Sequence, residues 1–324
     1  MDANKKIIKF EYIDALKGTA IFLVVFAHVI AWSYQNFDQS DKAVSFLWSI
    51  IYSFHMPLFF FISGYLAFFS FSRNTPFSII KKRTVQLLLP YISSTIIVEL
   101  LFDGRMNYWF LITLYQIYML MTISRICKWI NPIFLYILII LLMHLFPSLY
   151  YIRYLQLGHL ENSMFYYVLG YMLCKHTAIF EQIKKSSYPY CLFVFVLLFA
   201  FKSYSNINLT GGGNFVYYKI MALSAIVFMF RYFEIRIKDN KKRFRFLCLM
   251  GKNTLQIYII HVLFKYAIPH IGDLINAEFQ LLTQLAYAVP ISIILIYISM
   301  FLNKILIEDR IISIILMGYK KPKQ

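Results

Sequence analysis

Apolar residues run along this chain in long unbroken blocks, divided by short polar and mostly basic stretches. Ten blocks stand out, at about 15–34, 44–71, 84–102, 108–126, 131–148, 161–175, 189–205, 215–233, 247–269 and 281–306. An α-helix needs about 20 apolar residues to cross the hydrocarbon core of a bilayer. Most of the blocks approach that length, and 161–175 is the shortest. The runs are continuous, whereas a barrel strand alternates over about 10 residues, so the pattern argues against a β-barrel. It predicts an all-α polytopic membrane protein with about ten transmembrane helices and a single membrane-embedded domain over 1–324. The stretch SNINLTGGGN (205–214) reads as a turn-rich outer loop. No soluble module, internal repeat or low-complexity tract interrupts the blocks, so any chemistry belongs inside the bundle or at its mouths.

Composition agrees with the pattern. Hydrophobic residues make up 60% of the 324, and mean hydropathy is +0.64, against about 45–50% apolar content in soluble domains. The net charge of +17 would suggest nucleic acid in a soluble protein. Here the basic residues sit in short loops between apolar blocks, where they set topology, and no nucleic-acid partner is expected. With a cytoplasmic N-terminus, all but six of the 32 Lys and Arg residues fall on the cytoplasmic side; the six are Lys42, Arg105, Arg153, Lys202, Lys219 and Lys265. That bias predicts both termini in the cytoplasm and a multi-pass protein of the cytoplasmic membrane. The densest basic run, Arg231 to Arg245, reads first as a topology anchor. Cys127, Cys174, Cys191 and Cys248 lie near the expected cytoplasmic helix ends, where reduced thiols are the rule. The first block follows Lys5, Lys6 and Lys9 but is too long for a signal-peptide core, and it reads as retained.

The polar residues inside the blocks carry the candidate chemistry. Lys17 and His28 lie eleven residues apart, close to three whole turns, so both occupy one helix face about 16 Å apart. Asp14, three residues before Lys17, can pair with it. His55 and His261 are likewise set within apolar blocks, and ionisable groups at membrane depth usually face a cavity or a partner. A lone buried imidazole can also be purely structural, and His144 is read that way. His159, His176 and His270 belong to loops or helix ends. A metal site built on His28, His55 and His261 is set aside, because no HxxxH or carboxylate–histidine pair occupies one helix. Lys81, Lys82 and Arg83 open the third block; they are topology signals or, alternatively, a phosphate clamp. Tyr108 and Trp109 suit an interfacial aromatic belt.

Five stretches resemble one known family, the integral-membrane acyltransferase 3 family. They are YIDALKGTAIFLVVFAHV (12–29), SFHMPLFFFISGYL (53–66), KKRTVQLLLPYI (81–92), YWFLITLY (108–115) and GKNTLQIYIIHVLF (251–264). They occur in the family's order and span nearly the whole chain. The resemblance implies transfer of an acyl group, acetyl above all, from a cytosolic acyl-CoA to a hydroxyl of a cell-envelope glycan or lipid-linked sugar. It implies no permanently bound cofactor. It implies that Lys17, Lys82 and Arg83 meet the donor phosphates, with Asp14 holding Lys17. It implies that His28, His55 and His261 line the reaction chamber, with Ser63, Asn253 and Tyr258 as polar neighbours. Two positions depart from the pattern: Lys17 stands where the family usually has Arg, and Gln86 where it often has a second basic residue. Both would weaken a phosphate clamp, since Lys keeps charge but lacks the guanidinium fork. A transporter or flippase of lipid-linked glycans, and a non-catalytic assembly factor on the same scaffold, are the rival readings.

Overall fold

The computed structural model describes residues 3–38, 41–102, 108–127, 131–152, 154–204, 212–274 and 280–318. Among these residues all regular structure is helical and no strand occurs. In chain order the first helices are α1 (Ala3–Trp32), α2 (Lys42–Tyr52), α3 (His55–Arg73), α4 (Pro76–Arg83) and α5 (Leu89–Phe102). Next come α6 (Trp109–Ile126), α7 (Pro132–Leu145), α8 (Leu160–Lys175), α9 (Thr177–Tyr204) and α10 (Gly212–Asp239). The last are α11 (Arg245–Lys252), α12 (Thr254–Ile260), α13 (Gln280–Leu306) and α14 (Arg310–Ile315). The outer loop expected at 205–214 lies largely outside the described residues.

Six helical segments among the described residues are long and apolar enough to cross a membrane, or seven if the bent pair around Asn253 is one span. That is fewer than the ten expected from the apolar blocks. The difference is partly one of length. α7 has 14 residues and α8 has 16; at about 1.5 Å per residue they reach about 21 and 24 Å, short of the core's about 30 Å. α10 is longer, at 28 residues, and places Lys219 and Arg231 within its apolar run.

Three local breaks depart from continuous helices. The block at 44–71 is interrupted at Ser53–Phe54, so His55 opens α3 and does not sit in mid-helix. Pro57 explains it: lacking an N–H, it cannot bond the Ser53 carbonyl, and its ring crowds that carbonyl. Between α4 and α5 the chain takes one π-helical stretch, Thr84–Leu88, in which the Leu89 N–H reaches the Thr84 carbonyl. Pro90 follows at once and has no N–H for the Gln86 carbonyl, and π turns often mark functional places. The block at 247–269 bends by 62° at Asn253. Asn253 Nδ2 donates to the Leu249 carbonyl at 2.8 Å and Thr254 Oγ1 to Gly251 at 2.8 Å. Side chains thereby satisfy carbonyls that the end of α11 leaves open. His261 therefore does not sit inside one continuous helix over the 247–269 block: α12 ends at Ile260, and His261 begins a 3₁₀ segment, His261–Ala267.

The chain forms two compact units, residues 1–59 with 178–300, and residues 60–177 with 301–324. Each is locked by a reciprocal pair of glycines. In the first, a side chain on Gly18 of α1 would strike the Leu247 carbonyl of α11, and one on Gly251 of α11 would strike the Asp14 carbonyl of α1. In the second, Gly64 of α3 meets the Tyr167 backbone of α8, and Gly170 of α8 meets the Phe61 backbone. Small residues at both positions let backbones touch, which is how helices gain packing where lipid removes the hydrophobic drive.

Candidate active site

α1 carries three of the expected site residues in the first unit. Lys17 Nζ lies 2.7 Å from Asp14 Oδ1, with both side chains part-exposed. The Asp14 carbonyl is the point at which Gly251 packs, so the ion pair sits beside the α1–α11 contact. Farther along α1, His28 is half-buried. Its Nδ1 lies 2.9 Å from Nε2 of His261, and the two rings are nearly parallel at 16°. Residues 233 positions apart are thus joined ring to ring. His261 is fully enclosed, and its Nδ1 lies 2.8 Å from the Ile257 carbonyl one turn back on α12.

His55 is also buried, and it uses the same device: Nδ1 bonds the Ile51 carbonyl at 2.7 Å. That bond spans the break before α3 and reaches a carbonyl that also accepts the Phe54 N–H at 3.2 Å. Tyr258 stands 6.0 Å from the His261 ring, tilted against it. Asn253 turns to the Leu249 carbonyl and shapes the α11–α12 bend. Among the described residues no three His, Cys, Asp or Glu side chains gather closely enough to share a metal ion.

Two aromatic residues complete the histidine surroundings and were not singled out from the sequence. Trp32 packs on both imidazoles, 4.9 Å from His28 and 5.8 Å from His261. Tyr52 meets His55 edge-on at 4.6 Å and stacks on Trp48 at 3.8 Å. A signal was present: Trp32 lies four residues after His28, the helical spacing that places side chains together.

The remaining expected residues belong to the second unit. Lys82 is exposed on α4, and Ser63 is half-buried on α3. Arg83 ends α4, donates through Nη1 to Gln86 Oε1 at 2.9 Å, and lies 4.0 Å over the Tyr118 ring. Its Nε is buried without a hydrogen-bond partner. Gln86, the second departure from the family pattern, is therefore the residue that holds Arg83 across the π turn.

This arrangement offers an imidazole as proton acceptor within an apolar bundle, with a lysine on the same helix. A family model described as an acyltransferase domain matches residues 10–304 of the chain. Over 98 residues, 30% of the chain, it is 38% identical to the nodulation protein NolL of Sinorhizobium fredii (strain NBRC 101917 / NGR234). That match covers 25% of the relative's length, so the chain spans well under two thirds of it. No solved structure matches the chain.

Proposed function

Because the chain belongs to the acyltransferase 3 family, we propose that it is a multi-pass membrane O-acyltransferase. The acyl group, acetyl in the first instance, moves from acyl-CoA to a hydroxyl of a cell-envelope glycan or lipid-linked sugar. The observation that carries the reading is the His28–His261 pair, an oriented imidazole dyad whose half-buried member, His28, lies on the helix that also bears Lys17. The Lys and Arg bias supports a cytoplasmic location for both termini and for the Lys17 end of α1, the side on which acyl-CoA is made.

The reaction asks for a base and a proton return. His28 takes the proton of the acceptor hydroxyl as its oxygen attacks the thioester carbonyl. The new C–O bond forms, the C–S bond breaks, and the CoA sulfur leaves with the proton that His28 held. Lys17 offers its charge to a donor phosphate while Asp14 keeps the ammonium in place. The basic residues Lys82 and Arg83 of the second unit are proposed as further phosphate contacts on the strength of their charge and motif.

His28→Ala abolishes acyl transfer in this reading while the protein still inserts and purifies normally. Full activity in a well-expressed His28→Ala protein would remove that residue from the chemistry. The interrupted helices at Ser53 and Asn253 favour one other reading, a carrier of lipid-linked glycans, since carriers bind their cargo at broken helices. Detergent-solubilised protein given both substrates separates the two: acyl transfer needs no membrane to divide two compartments, whereas transport does.

A further inference from the structure

One backbone carbonyl fixes the proton positions of the whole histidine pair. The Ile257 oxygen lies 2.8 Å from His261 Nδ1. A carbonyl oxygen only accepts, so Nδ1 of His261 carries a proton. In a neutral imidazole the other nitrogen is then an acceptor. His261 Nε2 therefore presents its lone pair to His28 Nδ1, 2.9 Å away. His28 Nδ1 must donate, so it holds the ring's one proton, and His28 Nε2 keeps a free lone pair. Burial places the two rings differently: His261 is 0% exposed, while His28 is half-buried. Trp32 lies against both rings and preserves their mutual angle.

We propose that His261 is a positioning residue that locks His28 in the Nδ1–H tautomer, leaving Nε2 of His28 as the base. The proposal deepens the acyl-transfer reading and rests on it. A neutral imidazole without such a partner divides between two tautomers, and one of them has no lone pair at Nε2. When His28 Nε2 takes the hydroxyl proton, His28 becomes an imidazolium whose Nδ1–H still points at His261 Nε2. That bond becomes charge-assisted and strengthens as the proton arrives. The proton leaves again from Nε2 to the departing sulfur, so the pair ends as it began. His261 accepts throughout and gives up nothing. His55 has its tautomer set the same way by Ile51 but has no hydrogen bond to His28 among the described residues.

The test compares His261→Gln with His261→Phe in the full-length protein. Gln offers an amide oxygen that accepts from His28 Nδ1; Phe fills similar space and accepts nothing. In the Phe variant kcat falls by about 100-fold, the scale of general-base catalysis, while the KM values for both substrates stay within about twofold. The Gln variant recovers most of kcat. Nitrogen-15 spectra of histidine-labelled protein, assigned by difference with His28→Ala, show His28 protonated at Nδ1 and bare at Nε2. The Gln variant keeps that signature and the Phe variant loses it. Three results overturn the proposal: undiminished kcat in the Phe variant, a Gln variant as inactive as Phe, or an Nε2 proton on native His28. If the Phe variant fails to fold, the Gln variant and the native spectrum still decide. Absence of acyl transfer by the native protein would instead sink the acyl-transfer reading and leave the spectra free to report the tautomer.

Discussion

Lys17 and Lys184 each follow an acidic residue by three positions on a helix of the first unit. Lys17 Nζ lies 2.7 Å from Asp14 Oδ1, and Lys184 Nζ lies 2.7 Å from Glu181 Oε1. Beyond that shared local pair the two sites diverge. Lys17 keeps 25% of its side chain exposed, and Asp14 is its one ion-pair partner among the described residues. Lys184 is 1% exposed and also holds Glu234 of α10 at 2.8 Å. Glu234 in turn meets Arg231 at 3.2 Å and Lys238 at 3.6 Å. The Phe180 ring lies 5.1 Å from the Lys184 ammonium. An ammonium has three donors. Lys184 spends its donors across α9 and α10, so it is a clasp. Lys17 has donors to spare and an open side from which an anion can approach. The basic run from Arg231, read from sequence as a topology anchor, also supplies two cations to the clasp.

The largest expected effect tests the clasp. Lys184→Met leaves Glu234 half-buried with weaker partners, and breaking a buried pair costs about 3–5 kcal/mol. Thermal unfolding in detergent measures the loss, and Lys17→Met should leave the transition nearly unmoved. Equal transitions for native protein and Lys184→Met would break the contrast. Acid sharpens it. Burial pushes the Glu234 carboxyl up, but Lys184, Lys238 and Arg231 outweigh burial and hold it below the usual range. A depressed carboxyl stabilises the fold above the unfolded value of about 4.3 and loses that contribution as pH falls below it. The native protein should therefore lose more stability through that window than Lys184→Met does.

A smaller effect falls on the open site. If Lys17 meets a donor phosphate as proposed, Lys17→Gln removes a charged hydrogen bond, which costs about 1.5–3 kcal/mol, a rise of about tenfold or more in the donor constant. The acceptor constant and the unfolding temperature stay where they are. Titration of acyl-CoA against purified protein is the measurement. An unchanged donor constant would make Lys17 a topology signal only.

The two lysines also mark what a sequence can and cannot reveal. The i, i+3 spacing predicts both local pairs, and the eleven-residue spacing places Lys17 and His28 on one face of α1. The helical class is equally plain from the continuous apolar blocks. Nothing local distinguishes a clasp from an open site, because Glu234 reaches Lys184 from 50 positions away. The same holds for His28 and His261, whose meeting depends on α1 packing in one register with the segment after α12. Helix breaks were half legible. Pro57 signals the interruption before His55, but the bend at Asn253 has no proline and arises from side chains capping α11. The π turn is invisible until Pro90 and Gln86 are considered together. The Gln86 departure, which by charge alone reads as a lost phosphate contact, is accounted for by its bond to Arg83.

The smallest expected effect is the most discriminating, because it asks whether Lys17 truly has a free side. Lys17→Arg restores the residue the family pattern usually carries there. A guanidinium presents a planar fork that matches phosphate oxygens two at a time. It matches a carboxylate equally well, and Asp14 is already within reach. If the open side of residue 17 faces the donor, the fork divides between Asp14 and phosphate. The donor constant then falls modestly, by no more than about tenfold, or about 1.4 kcal/mol, with kcat unchanged. If Asp14 captures the fork at both oxygens, the donor constant rises, and position 17 behaves as the clasp at 184 does. Titrating acyl-CoA against Lys17→Arg and against Lys17→Arg combined with Asp14→Asn separates these. Removing the carboxylate should leave the donor constant of the arginine variant low in the first case, and should rescue it in the second. A raised constant that Asp14→Asn rescues would place Lys17 beside Lys184 as a structural half of an ion pair, and the difference between the two lysines would reduce to one of exposure.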